Sequence, residues 1–381
     1  MASTSSSPHS IHKVSPVRVV VKALSLLLLF NFIFPFIDPL PWISQLSIYN
    51  SLVPGRERLP YGEQPEKSYN LNLYQLEAMF KSHKIDGAKK SANEFRLILI
   101  GDSSTWGFLL PPPETLASSI NAKNSLTPDG KHIMAYNLGY PVMSLTKDLL
   151  ILNRAMRYQP DMIIWLVTLE SFPYDKQLFP PLLQHNRDEV LELIRTNNLN
   201  MERYIENLKP VTFWDRTLIG SRRNLADVFR LQLMGMMWAA TGIDIYIPDK
   251  IERPMEDLPA DLSFHNLTPP HLSEDVLAFD VLQAGFNISG DVPLVIVNEP
   301  MFISHGNNSD VRYNFYYPRW AYDDYRQLLS SHSEKYRWNY VDLWNSIDAP
   351  YFSNTAVHLT PEGVNQLADL LMGQLPTFGQ H

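Results

Sequence analysis

Arg96-Leu-Ile-Leu-Ile-Gly-Asp-Ser-Ser-Thr-Trp-Gly107 is the stretch from which the fold of this chain is read. An unbroken apolar run ends on a glycine, and small hydroxyl residues follow it. Such a run, bounded by turn residues, marks a strand buried on both faces, as in a parallel sheet covered by helices. Comparable runs recur, and together they predict strands at Phe95–Gly101, His132–Leu138, Met162–Leu169, Pro293–Asn298 and Tyr340–Trp344. Helical patterns fall between them, near Glu114–Asn124, Leu145–Tyr158, Asp275–Ala284, Ala321–Ser331 and Pro361–Leu371. The last has a strong start, because the Thr360 hydroxyl can cap a helix whose first turn holds Pro361. Alternating strands and helices predict an α/β fold around a parallel sheet.

Residues 171–272 break this alternation. Helices are expected within them at Arg187–Asn197, Met201–Asn207 and Arg222–Thr241, followed by a Pro-rich acidic loop over Asp249–Pro270. The run Leu231–Ala240 is too short to span a bilayer and reads as core, or as a surface touching substrate or lipid. Ahead of the sheet, residues 44–94 read as a connector. Its short amphipathic helix carries Leu73, Leu76, Met79, Phe80 and His83 on one face.

The N-terminus reads as a membrane segment. Lys13, Arg18 and Lys22 precede Ala23-Leu-Ser-Leu-Leu-Leu-Leu-Phe-Asn-Phe-Ile-Phe-Pro-Phe-Ile37, and Val19 to Ile37 approaches the roughly 20 residues a crossing helix needs. The basic flank keeps the N-terminus inside and sends the remainder outward. No small-x-small cleavage site follows, and Trp42 suits an interfacial anchor, so an uncleaved anchor is expected over a signal peptide.

Composition excludes several classes of chemistry. With 32 Lys plus Arg against 40 Asp plus Glu, the net charge is -8, and no broad basic field exists for a nucleic-acid backbone. The absence of cysteine removes disulfides, thiol nucleophiles and thiolate metal sites. His132, His265, His271 and His305 show no ligand spacing, so no metal and no cofactor is expected.

Two hydroxyl and imidazole positions remain. Ser103 stands at the carboxyl end of the first strand, on the rim where open α/β sheets bind ligands. Backbone N–H groups of such a turn can hold an oxyanion, although a helix-capping turn has the same composition. Far downstream, Val341-Asp-Leu-Trp-Asn-Ser-Ile-Asp-Ala-Pro-Tyr-Phe-Ser-Asn-Thr-Ala-Val-His-Leu-Thr-Pro-Glu-Gly363 places His358 in a loop just before a capped helix. A loop imidazole there can meet a hydroxyl on another strand end and act as general base.

These stretches resemble the SGNH, or GDSL, hydrolase superfamily over about residues 95–170 and 292–375. The resemblance implies a three-layer flavodoxin-like fold, and Gly101-Asp102-Ser103 corresponds to the first block, with Ser103 as nucleophile and oxyanion donor. Tyr136-Asn-Leu-Gly-Tyr-Pro-Val-Met-Ser144 is similar to the second block. Its oxyanion N–H falls at Val142 if Asn137 is aligned, or at Gly139 if the glycines are. His358 matches the histidine of the last block. The third block departs, because Val167-Thr-Leu-Glu-Ser171 lacks the family's asparagine, and the Asp expected three residues before the histidine is Thr355, with Asn354 beside it. Glu170 and Glu299 are the candidates to orient His358 or act as an acid, unless they pair with Arg312 or Arg319. Asn298 is the candidate replacement donor. The aromatic run Tyr313–Tyr322 either stacks on sugar rings or packs as a loop.

The resulting expectation is a cytoplasmic tail at 1–18, an anchor at 19–43, a connector at 44–94, an SGNH-like domain at 95–375 with a helical insertion at 171–272, and a tail at 376–381. The resemblance implies an esterase or O-acyltransferase acting outside the membrane on an acylated carbohydrate or lipid, with a membrane acyl-donor protein as partner if acyl groups are transferred. A catalytically degenerate binding module is the alternative.

Overall fold

The computed structural model describes residues 15–37, 39–43, 46, 48–52, 63–64, 75–241, 247–248 and 250–378. The first fourteen residues, Leu73 and the last three residues lie outside them. The α-helices run in the order α1 (Pro16–Ile37), α2 (Leu40–Ile43), α3 (Ile48–Leu52), α4 (Leu76–Lys81), α5 (Lys84–Gly87), α6 (Ser103–Trp106), α7 (Leu116–Ala122) and α8 (Leu145–Ala155). They continue with α9 (Pro181–His185), α10 (Arg187–Asn197), α11 (Phe213–Arg216), α12 (Arg222–Thr241), α13 (Phe279–Ser289), α14 (Arg319–Tyr336) and α15 (Pro361–Phe378).

Five parallel strands, β1 (Glu94–Ile100), β2 (His132–Asn137), β3 (Met162–Val167), β4 (Leu294–Asn298) and β5 (Asn339–Asp342), lie in the order β2-β1-β3-β4-β5. This is the flavodoxin-like order, with its switch point between β1 and β3. The α/β three-layer fold expected from the sequence is therefore the fold found. Alternation along the strands sorts two cores. Ile98, Ile100, Ile163, Trp165 and Ile296 face a layer that includes α8, α13 and α14. Leu97, Leu99, Ile164, Leu166, Val295 and Val297 face α7 and α15. Burial on both faces explains why the strands read as continuous apolar runs.

The expected helix at Asp275–Ala284 begins later, at Phe279. Leu277 bridges Pro173 and the Ala278 N–H donates to the Phe172 carbonyl at 2.9 Å, so those residues are spent on a tertiary pairing. The expected helix at Met201–Asn207 shrinks to a single 3₁₀ turn over Ile205–Asn207. Helices at Arg187–Asn197 and Arg222–Thr241 stand as expected.

The chain divides into two compact units. One comprises the described residues up to Leu40 with Val211–Asp227; the other comprises Pro41–Pro210 and Val228 onward. In the first, α1 is 22 residues long, and it is long and apolar enough to cross a membrane. Phe213 of α11 stacks on Phe32 at 6.5 Å, and Trp214 meets the edge of Phe32 at 5.9 Å. Asn31, the buried polar residue of α1, accepts the Ile219 N–H at 2.9 Å, which satisfies its amide oxygen.

Candidate active site

Strand β1 ends at Ile100, and the chain turns at once into α6. Asp102 caps that turn by accepting the Ser104 N–H at 2.8 Å, which leaves Ser103 as the first helical residue at the sheet rim. Gly107, at φ 94°, closes α6 in the left-handed region. Gly139 lets the loop after β2 lie against it: a Cβ there would stand 2.3 Å from the Trp106 nitrogen. Beneath the turn, the fully buried Lys147 on α8 donates to the carbonyls of Gly101 at 2.9 Å and Tyr140 at 2.7 Å. Its charge is met by Asp148 at 2.6 Å. Lys147 thus ties the β1 and β2 loops together.

Ser103 and His358, separated by 255 positions, meet: Oγ lies 2.8 Å from Nε2. On the far side of the ring, Nδ1 lies 2.8 Å from Asn354 Oδ1. A carbonyl oxygen only accepts, so Nδ1 carries the proton and Nε2 presents its lone pair to the serine hydroxyl. Phe108 stacks on the imidazole with centroids 4.8 Å apart. Burial lowers the imidazole pKa to about 4, against the opposing pull of the Asp102 charge, so His358 is neutral near pH 7.

Asn354 is the residue the sequence reasoning missed. The family spacing pointed to Thr355, whose Oγ1 instead accepts the backbone N–H groups of Val357 at 3.4 Å and His358 at 3.3 Å. Thr355 shapes the turn and Asn354 faces the ring. The signal was the asparagine adjacent to the expected position.

Five other expectations are corrected. Glu170 does not meet His358: it is bonded by Lys176 and by His265 Nε2 at 3.0 Å. Burial works to raise its pKa, and those bonds outweigh it and hold the carboxyl below the usual range. Glu299 accepts the Ser104 hydroxyl and likewise leaves His358 alone. Its buried carboxyl is pushed well above the ordinary carboxylate range by desolvation and then by the nearby Asp102 charge. Asn298 is turned into the core, where its Nδ2 donates to Asp342 at 2.9 Å and its Oδ1 accepts from Tyr322 and Tyr325 at 3.3 and 3.2 Å. It is fully buried, so its amide is not presented at the rim. The Gly139 N–H is spent on Asn137 Oδ1 at 2.9 Å, so it is no oxyanion donor. The arginine pairing fails too, since Arg312 donates to the carbonyls of Asp261 and Phe315, both at 2.7 Å, and Arg319 to that of Ser309 at 2.6 Å.

Val142 remains. It sits at φ 78° and is exposed, a left-handed conformation that a β-branched residue rarely adopts. No acceptor takes its N–H among the described residues. Strain of this kind gathers at functional loops. Beside Asn354, a cleft of about 700 Å³ is lined by Leu109, Arg253, Met255, Phe315, Tyr316 and Thr355. The aromatic run divides accordingly, with Tyr313, Tyr317 and Tyr322 buried and Phe315 exposed at the cleft.

Among solved structures the chain is similar to a putative lipolytic protein of the G-D-S-L family from Desulfitobacterium hafniense DCB-2, with 12% identity, 74% of this chain and 99% of that chain covered, and a TM-score of 0.30. It is also similar to Est24, a carbohydrate acetylesterase from Sinorhizobium meliloti, with 10% identity, the same 74% and 99% coverage, and a TM-score of 0.32. A carbohydrate acetylesterase family member from S. meliloti is matched at 10% identity, over 74% of this chain and 98% of that chain, at a TM-score of 0.31. No family model and no curated protein matches the chain.

Proposed function

We propose that this chain is an SGNH-type serine esterase or O-acyltransferase, anchored by α1 with its α/β domain outside the membrane, acting on acyl esters of an envelope glycan or glycolipid. The observation that carries this reading is the unbroken line from Ser103 through His358 to Asn354, with 2.8 Å at each step. Ser103 Oγ attacks the ester carbonyl while His358 Nε2 takes its proton, and the N–H groups of Ser103 and Val142 receive the oxyanion. The ester C–O bond then breaks and His358 returns the proton to the leaving alkoxide. Water or a sugar hydroxyl, deprotonated in turn by His358, releases the acyl group from the serine. An asparagine in the third position has precedent in the Cys-His-Asn arrangement of papain-like proteases. Phe315 and Tyr316, at the mouth of the cleft beside Asn354, favour a ring-shaped acceptor.

The test is labelling of the full chain in detergent with a fluorophosphonate, the adduct located by mass spectrometry, beside Ser103→Ala and His358→Ala. An adduct on Ser103 that needs His358 is expected. A folded protein that does not label would sink the esterase reading. One observation favours a glycan-binding module instead: the group on His358 Nδ1 is the neutral amide of Asn354 and not a carboxylate. Glycan binding without labelling would identify that case.

A further inference from the structure

Helix α12 exposes an apolar stripe that the proposed chemistry does not use. Phe229, Leu233 and Met237 recur every four residues, so they lie on one side of the helix, and they are 73%, 56% and 56% exposed. The opposite side is buried at Val228 and Gln232. A soluble surface rarely leaves such a stripe bare without something to cover it.

Gln232 links the helix to the chain just beyond α1. Its Nε2 donates to the Leu46 carbonyl at 2.9 Å and its Oε1 accepts the Ile48 N–H at 2.8 Å. Leu46, and Ile48 and Leu52 of α3, are themselves exposed. Leu46 follows the last residue of α1 by nine positions, a tether that reaches at most about 30 Å even fully extended. Four of those residues are coiled as α2, which shortens it further and carries the exposed Trp42. The helix also bears Arg222, Arg223 and Arg230 against a single acid, Asp227. Apolar residues on one side of a helix, cationic residues and a short connection to a membrane span are the properties of a helix lying in a lipid interface.

We infer that α3 and the Phe229–Met237 stripe of α12 lie on the surface of an anionic lipid bilayer, a second membrane contact besides α1. The inference rests on the reading of α1 as a membrane span. This contact holds the α/β domain at the headgroup level instead of leaving it on a free tether.

The chain has no cysteine, so single-cysteine variants carry a probe at one place only. Full-length Leu233→Cys, Met237→Cys, Leu28→Cys and Glu334→Cys would be labelled with an environment-sensitive fluorophore and reconstituted in vesicles of phosphatidylcholine and phosphatidylglycerol. Iodide would report water and bromolipid would report the bilayer. Probes at 233 and 237 should shift to the blue, lose iodide quenching and gain bromolipid quenching, while the probe at 334 stays with water. If the probe at 28 is in lipid and that at 233 is in water, the surface contact is refuted and the anchor stands. Shielding of 233 from both quenchers also refutes it, in favour of a protein cover. A probe at 28 in water removes the anchor and this inference with it.

Discussion

His358 Nδ1 and Asn354 Oδ1 stand 2.8 Å apart, so the imidazole is held by a neutral amide where a carboxylate would add charge. Orientation is kept while electrostatic support for the imidazolium is given up. Asn354→Ala should therefore slow fluorophosphonate labelling of Ser103 by about 10² or more, the scale of a mispositioned general base. Asn354→Asp should keep the geometry and raise the imidazole pKa, moving the acid limb of labelling to higher pH. An unchanged limb in the aspartate variant would show that residue 354 does not face the ring in solution.

The acid limb of the native protein is itself a prediction. His358 is a base only when neutral, and burial sets its pKa at about 4. Labelling should thus persist well below the ordinary histidine midpoint of 6.5 and fall near pH 4. For stability, the unfolded chain binds the proton more readily than the native one between these values. The contribution of the buried neutral ring is whole above 6.5 and lost as pH falls toward 4. Denaturant titrations of the native protein and His358→Asn across this window should show a shallower pH dependence in the variant.

Ser103 and His358 were legible because each lies at a strand or helix boundary that hydrophobic pattern and capping chemistry reveal. Asn354 was not, because its place depends on a tight turn. Phe352 bridges Leu359, and the Ser353 N–H donates to the His358 carbonyl at 2.8 Å, folding 354–357 back on themselves. No periodicity encodes which side chain of such a turn faces inward. Glu170 and Glu299 misled for a related reason: sequence places a carboxylate at a strand end, but its partner, Lys176 or Ser104, is chosen by packing.

Val142→Gly should relieve the strain of φ 78° while keeping the backbone N–H. A stability gain, on the order of 1 kcal/mol, with labelling preserved is expected from the usual cost of such a conformation. Thermal unfolding and labelling of the variant check both halves.

Gly139→Ala should act in the opposite direction. Its added Cβ would meet the backbone of α6, 2.3 Å from the Trp106 nitrogen, where no flexible side chain can yield. A loss of about 1–3 kcal/mol, the cost of overpacking, should accompany weakened labelling of Ser103.

Lys147→Met tests the clamp beneath the site. It strips two loop carbonyls of their donor and leaves Asp148 buried beside Trp165 Nε1 at 3.1 Å without its cation. The expected loss is about 3–5 kcal/mol in denaturant titration. Lys147→Met with Asp148→Leu should recover part of it, because no lone charge remains buried.

The 255-position span between Ser103 and His358 also bears on how the protein comes into being. During synthesis the serine leaves the ribosome long before the histidine exists. The bond between them can form only after all five strands have been synthesised. Until then the hydroxyl has no imidazole beside it, so a nascent or truncated chain carries Ser103 without His358.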